Sequence, residues 1–377
     1  MKNYLLTPGP SYVPYWIREE LAKEVIHHRT QEFREILKEV NQSLKKICCT
    51  QNPVIIFASS GTGAMEAAVT NFFSLKDKII VINGGKFGER WKEIAQSYGL
   101  EVIEYKIEWG DFPSPEHLDN LLKKEKGIKA IFTTLCETST GTVYNIEEIA
   151  RLVKDKDTLL IVDAVSGLGQ DKLLTDEWGV DVVVSSSQKG LMLPPGLSFI
   201  SISPKAQEAM KKANLPCYYF NLAKALKSYN NDDTPFTPSV SLIVALRKSL
   251  GVINREGITN RWKRFSLLSS ATREAAKSLG LSLFSRRPSN SVTAIRSPQG
   301  ISSSQLVNLL RKKYKVSIAG GQSEFKNKIF RIAHMGAIDK DDLLVCFSFL
   351  EKALRELGYK EFDEGISLKK IQEVLDV

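Results

Sequence analysis

Three short polar stretches, each at the end of an apolar run, carry residue types suited to bond-making chemistry. Phe57–Met65 reads FASSGTGAM. Gly61 and Gly63 allow close backbone approach to a ligand, and Ser60, Thr62 and the free N–H groups of a following helical turn favour an anion. A plain helix N-cap with glycine turns accounts for the same letters. Leu159–Gly169 reads LLIVDAVSGLG and places Asp163 at the end of a wholly apolar strand. A carboxylate there either caps the next helical turn or holds a proton on a ligand ring nitrogen. Ser185–Gly196 reads SSSQKGLMLPPG and places Lys189 just after the apolar run DVVV. Taken alone it is a solvated loop lysine. Set in a cleft it is desolvated, its pKa falls, and it becomes a nucleophilic amine.

Those stretches must be positioned by the elements around them. Between about residues 50 and 205, seven β-branched runs (PVIIFA, KIIVIN, EVIEYKI, AIFTTL, TLLIVDA, DVVVSS and LSFISIS) alternate with helix-like segments. Strand and helix alternating this way predict an α/β fold with a mostly parallel sheet between helices. Ligands of such sheets sit at the carboxyl ends of the strands. Ser60–Gly63, Asp163 and Lys189 all fall at such ends. Beyond 205, residues 205–232 read as helical, the turn-like DDTPFTPSVS comes next, and SLIVALRKSLGVINREGITNRWKRFSLLSSATREAAKSLG reads as one long helical pattern. The rest, with strand candidates SVTAIRS, KVSIAGG and IFRIAHMG, reads as a smaller α+β unit. The expected division is an N-terminal segment and large domain over 1–255 and a small C-terminal domain over 256–377.

A phosphate cradle, a ring-nitrogen carboxylate and a desolvated lysine on one sheet edge are what pyridoxal 5′-phosphate requires. The lysine forms the imine, the aspartate keeps the pyridine nitrogen protonated, and the ring serves as an electron sink. Once displaced by an incoming amine, the lysine carries the proton between the substrate Cα and the cofactor.

Several stretches together carry a resemblance. LLTPGPSYVP, SSGTGAMEAAVTNFF, NGGKFGERW, ETSTGTVYNI, IVDAVSGLG, SSSQKGLMLPPGLSFIS, TPFTPSVSL and FRIAHMG resemble the class V aminotransferases of pyridoxal-phosphate fold type I, closest to the alanine–glyoxylate and serine–pyruvate group. The resemblance implies a transaminase that moves an amino group from a small L-amino acid (alanine, serine or aspartate type) to a 2-oxo acid such as glyoxylate or pyruvate. It implies that Lys189 is the Schiff-base lysine, that Asp163 pairs with the pyridinium, and that Gln188 and Ser60–Gly61–Thr62 hold the phosphate. It further implies that Phe87 stacks on the ring, that Thr138 bonds near the ring's phenolic oxygen, and that Arg331 clamps the substrate carboxylate with its guanidinium fork. Thr237 would reach the phosphate in a neighbouring subunit, so a homodimer is expected. Thr62 and Thr234 stand where many relatives have histidine or tyrosine, and Ala333 makes FRIA of the common FRIG.

HHRTQEF, with Arg29, resembles an element of phosphoserine aminotransferases, in which a His-Arg pair meets the substrate's distal phosphate. Arg29 therefore either touches an acidic substrate side chain or packs structurally. A cysteine desulfurase is the other relative of this fold. That reading needs a histidine before the lysine, where Gln188 stands, and a cysteine on a mobile loop, where Cys217 shows no such motif.

The net charge of +9 comes from lysines and arginines scattered in pairs rather than in a basic block. The expectation is a basic surface without nucleic-acid binding. No apolar run approaches the roughly 20 residues of a membrane span, and the first residues lack a signal-peptide core. Five cysteines without paired spacing read as reduced thiols in the cytoplasm. No metal spacing is present.

Overall fold

The protein is described by a computed structural model over residues 3–376. Its centre is a seven-stranded sheet of β1 (Val54–Phe57), β2 (Lys78–Asn83), β3 (Glu101–Lys106), β4 (Ile128–Thr134), β5 (Leu159–Asp163), β6 (Val182–Ser186) and β7 (Ser198–Ile202). The order across the sheet is β1-β7-β6-β5-β4-β2-β3. Only β7 runs against its neighbours; the other pairings are parallel.

Consecutive residues of these strands belong to different cores because side chains alternate across a sheet. Ile80, Ile82, Leu160 and Val162 enter one buried cluster, and Ile79, Val81, Leu159 and Ile161 enter the cluster on the opposite face. Burial on both faces explains why the sequence shows continuous β-branched runs instead of alternation. Each such side chain contributes about 1.5–3 kcal/mol when fully buried. Helix Gly61–Phe72 packs with Ala64, Ala67 and Ala68 wholly buried. These small side chains let its axis lie close to the sheet.

The C-terminal unit has its own core, including Phe265, Leu306, Phe330, Phe347 and Ile371. It is built on β8 (Val292–Arg296), β9 (Ala319–Gly320) and β10 (Ile329–Ala333), with β10 central and both pairings antiparallel. Leu6 belongs to this core, and Tyr4–Leu5 pairs in parallel with Val316–Ser317. Among the described residues, no helix is long and apolar enough to cross a membrane.

Two helical expectations change. The pattern over 241–280 is two helices, Val240–Glu256 and Ile258–Ser278, broken at Gly257, whose φ of +77° suits glycine. The apolar periodicity is the same on both sides of the break, so only the glycine marks it. Residues 205–232 are likewise interrupted, with helices Pro204–Met210 and Leu222–Tyr229 separated by irregular chain.

Candidate active site

The carboxyl ends of β1, β2, β4, β5 and β6 lie on one edge of the sheet, and the chain leaving each carries a chemical group. Lys189 follows β6 and is 7% exposed. Its Nζ donates to the Pro8 carbonyl and to Ser166 Oγ at 3.2 Å. Burial disfavours the ammonium and brings its pKa down to about 8, against the opposing pull of Cys136 and Asp163.

The loop bearing Lys189 is clamped carbonyl by carbonyl. Ser11 N donates to the Gln188 carbonyl at 2.8 Å and Ser11 Oγ to the Lys189 carbonyl at 2.8 Å. The Gly190 carbonyl accepts from buried Arg261 at 2.7 Å and the Leu191 carbonyl from Ser249 Oγ at 2.6 Å. Three distant segments thus hold one short loop, which fixes where the amine can stand.

Asp163, the last residue of β5, is buried, and its Oδ1 accepts from Val165 N at 2.7 Å. Burial raises its pKa to about 6 despite that bond. Such a carboxylate gains most by meeting a cation or a proton-bearing ring nitrogen.

Ser60 precedes helix Gly61–Phe72 in extended conformation, and its side chain makes no cap hydrogen bond. Gly63 N donates to the Ser60 carbonyl at 2.9 Å, and the N–H groups of Gly61 and Thr62 are open to an anion. A Cβ on Gly61 would lie 2.8 Å from Val165 Cγ2 and 3.2 Å from Ser186 Oγ. Ser186 Oγ and Gln188 Oε1 are buried and lack hydrogen-bond partners. Unpartnered polar atoms beside an uncapped helix start fit a phosphate group.

Phe87 lies in the first turn of helix Lys86–Ser97, half-buried, with its ring centroid 6.0 Å from Lys189 Nζ. That turn is held by Glu137, whose buried carboxylate accepts from Phe87 N at 3.1 Å and Gly88 N at 3.0 Å. Burial raises the pKa of Glu137, opposed by these bonds. Thr138 Oγ1 bonds Ser166 Oγ, and the Thr138 carbonyl accepts from Arg331 Nη1 at 2.8 Å. Arg331, on β10 and 6% exposed, also donates Nε at 3.1 Å and Nη2 at 2.8 Å to the Gly320 carbonyl. Its partners are thus main-chain carbonyls, and burial lowers its pKa to about 10. A buried guanidinium so held retains its charge for an incoming carboxylate.

A continuous chain of contacts therefore runs from Lys189 through Ser166 and Thr138 to Arg331. Another runs from Asp163 through Val165 to Gly61 and Ser186. Arg29 and Thr237 stand apart from both. Arg29 is bonded to Asp233 and to the Thr234 carbonyl at 2.9 Å, and Thr237 is exposed on the adjoining segment. Cys217 Sγ accepts from Thr70 at 3.4 Å and Asn71 at 3.7 Å. These residues lie near the far end of helix Gly61–Phe72, about 14 Å along the axis from Gly61.

Sequence reading gave no role to Ser166, Glu137, Pro8, Gly9 or Ser11. ETSTG contained Glu137, but of its partners only Ser139 is local; Phe87 N and Gly88 N lie about 50 residues upstream. Gly9 is the clearest signal that passed unread. Its φ is +132°, and a Cβ there would stand 2.4 Å from Lys189 Cε. Gly9→Ala is expected to push the lysine out of place. Covalent capture of pyridoxal phosphate, followed by stopped-flow absorbance, should slow about 100-fold while the far-ultraviolet circular dichroism is unchanged.

Comparison with known proteins agrees with this geometry. The family model described as "Aminotransferase class-V" matches residues 15–335. The chain is 43% identical to the "Soluble hydrogenase 42 kDa subunit" of Anabaena cylindrica, over 97% of this chain and 96% of that protein. It is 34% identical to the L-aspartate–glyoxylate aminotransferase of Paracoccus denitrificans, over 95% and 92%. Among solved structures it is similar to a subgroup IV aspartate aminotransferase from Thermus thermophilus, with TM-score 0.88 and 32% identity over 94% of this chain and 100% of that one. With most of its length matched by the family model and the expected groups gathered on one sheet edge, the chain belongs to the class-V aminotransferases.

Proposed function

We propose that the protein is a pyridoxal-phosphate-dependent transaminase that moves the amino group of a small L-amino acid (alanine, serine or aspartate type) to a 2-oxo acid such as glyoxylate or pyruvate. The observation that carries this reading is the buried Lys189 amine, held by the Pro8 carbonyl and Ser166 Oγ within reach of the charges of Asp163 and Arg331. The name of the Paracoccus relative, an L-aspartate–glyoxylate aminotransferase, supports the acceptor class.

When bound, pyridoxal phosphate supplies the electron sink that makes the substrate Cα proton acidic. The chain's own residues do the rest. Lys189 Nζ, with its pKa near 8, takes and returns a proton at the substrate Cα. Asp163 holds the proton on the ring nitrogen. Ser60, Gly61, Thr62 and Gln188 hold the phosphate. Phe87 orients the ring by stacking. Thr138, through Ser166, fixes the polar edge beside the phenolic oxygen, and Arg331 binds the substrate carboxylate. The active unit in this reading is a cytoplasmic homodimer in which Thr237 serves the neighbouring subunit's phosphate. Exposed Tyr218 and Tyr219, gathered around Phe236 beside Thr237, support a buried role for that surface. The basic surface has no assigned nucleic-acid partner, and the division of the chain near residue 255 belongs to the same proposal.

The phosphoserine reading loses support because the Arg29 guanidinium is engaged by the Asp233 carboxylate and the Thr234 carbonyl, apart from the Lys189 cluster. The desulfurase reading loses support because Cys217 lies at the far end of the helix from the cradle.

The test is direct. Purified protein mixed with pyridoxal phosphate and then borohydride should carry the reduced cofactor on the Lys189 peptide, and a donor–acceptor panel should show amino transfer to glyoxylate or pyruvate. Labelling elsewhere, or no transfer to any 2-oxo acid, overturns the reading. Arg331→Lys is expected to raise KM for both amino acid and oxo acid by about 10- to 100-fold through loss of the guanidinium fork. In steady-state kinetics kcat should change far less. An unchanged KM would remove Arg331 from the site.

A further inference from the structure

We propose that Arg90 is a phosphate-binding side chain of this site, supplying the cationic side chain that the helix-start cradle otherwise lacks. The inference rests on the cofactor reading above and gives a role to a residue of the NGGKFGERW stretch that so far had none.

Arg90 lies on helix Lys86–Ser97, one turn beyond Phe87. Its Nη1 donates to Thr62 Oγ1 at 3.3 Å, so the guanidinium reaches the first turn of helix Gly61–Phe72. Its Cζ lies 4.9 Å from the centroid of the Phe87 ring. The carboxylate next to it in the chain, Glu89, is taken by Lys86, and among the described residues none pairs with Arg90. The guanidinium is thus fixed at the cradle by a hydroxyl and an aromatic face; its charge acts on buried Asp163, but among the described residues no carboxylate pairs with it directly.

The cradle needs that charge. A phosphate monoester carries nearly two negative charges at neutral pH. A helix start offers about half a positive charge. Ser60, Thr62, Ser186 and Gln188 are neutral, and Lys189 is committed to the carbonyl carbon of the cofactor. The partnerless, buried Ser186 Oγ, 3.2 Å from where a Gly61 Cβ would stand, independently marks the same spot as a ligand position. Thr62 Oγ1 gives the guanidinium an acceptor at the cradle itself.

A second role for Arg90 is support of the Phe87 ring alone, and the two roles predict different losses. Phosphate binding concerns only a phosphorylated ligand; ring support concerns any pyridoxal. The experiment measures dissociation constants of pyridoxal 5′-phosphate and of unphosphorylated pyridoxal with apo protein by fluorescence quenching, for wild type, Arg90→Met and Arg90→Lys. Arg90→Met is expected to weaken pyridoxal phosphate about 10- to 100-fold, the range of a lost charge-assisted bond, and pyridoxal by no more than about threefold. Arg90→Lys, which keeps the charge and tests the same point if the methionine variant folds poorly, should recover part of the loss. Equal losses for both ligands, or no loss for either, overturn the assignment. If wild type itself does not prefer the phosphorylated ligand, the phosphate cradle fails as a whole, a result distinct from the failure of Arg90 alone.

Discussion

Lys189→Ala is expected to lower kcat/KM for transamination by at least about 1,000-fold, because it removes both the amine that captures the cofactor and the base that moves the Cα proton. The cofactor should still bind noncovalently, since the helix start at Gly61, the Ser186 hydroxyl and the Asp163 carboxylate are untouched. Borohydride should then fix no label on the protein. Single-turnover absorbance measurements with amino acid separate the two losses: binding persists and the spectral change after it stops. The size of the effect comes from the setting. The amine is buried, its pKa is brought down to about 8, and its loop is clamped at four successive carbonyls. That loop holds no second lysine to substitute for it. Turnover retained in this variant would refute the role of Lys189.

Asp163→Asn is the second large expectation. The side chain keeps its shape and loses its charge, so the ring nitrogen loses the partner that holds its proton. Turnover should fall about 100-fold, the upper range for a bond to a charged group. The variant has a second readout, in the stability of the protein without cofactor. Burial raises the Asp163 pKa from 3.8 to about 6, a difference of about 3 kcal/mol between protonation states. A carboxyl whose folded pKa is raised binds its proton more tightly folded than unfolded. Its contribution is complete below about pH 4 and is lost as pH rises through about 6. The apo protein should therefore lose stability across that window, and Asp163→Asn should lose less. Denaturant unfolding at pH 4 and pH 7 compares the two slopes; identical slopes would show that Asp163 meets a compensating charge in the apo protein. With cofactor present, the ring nitrogen supplies that charge and the wild-type slope should shrink.

Much of this site is legible in the sequence because its residues sit where strands end. The seven β-branched runs all form strands of one sheet, and the rule that ligands meet carboxyl edges picks out Ser60–Gly63, Asp163 and Lys189 without reference to the fold. What the letters do not carry is nonlocal. Arg29 sits in a stretch that suggests an acidic substrate, yet its partner Asp233 is 204 residues away. Glu137 is one acidic residue among many until Phe87 N and Gly88 N close on it. Arg90 shows its use only when Thr62 arrives opposite. The break at Gly257 escaped because periodicity reports which face is buried and says nothing of the angle between successive helices.

The pairing of Tyr4–Leu5 with Val316–Ser317 also sets an order of assembly. Tyr4 and Leu5 find their partners only after some three hundred more residues have been made. The large sheet can form in the meantime, since its strands lie between Val54 and Ile202. Pro8, Gly9 and Ser11 can settle against the lysine loop only when the last part of the chain gives the preceding residues an anchor. Contacts of such sequence separation form late, because loop closure precedes any gain from pairing. A nascent chain that has not reached Arg331 thus has its amine without the strap beside it and without the guanidinium, and amino-transfer competence comes only once that stretch has been made.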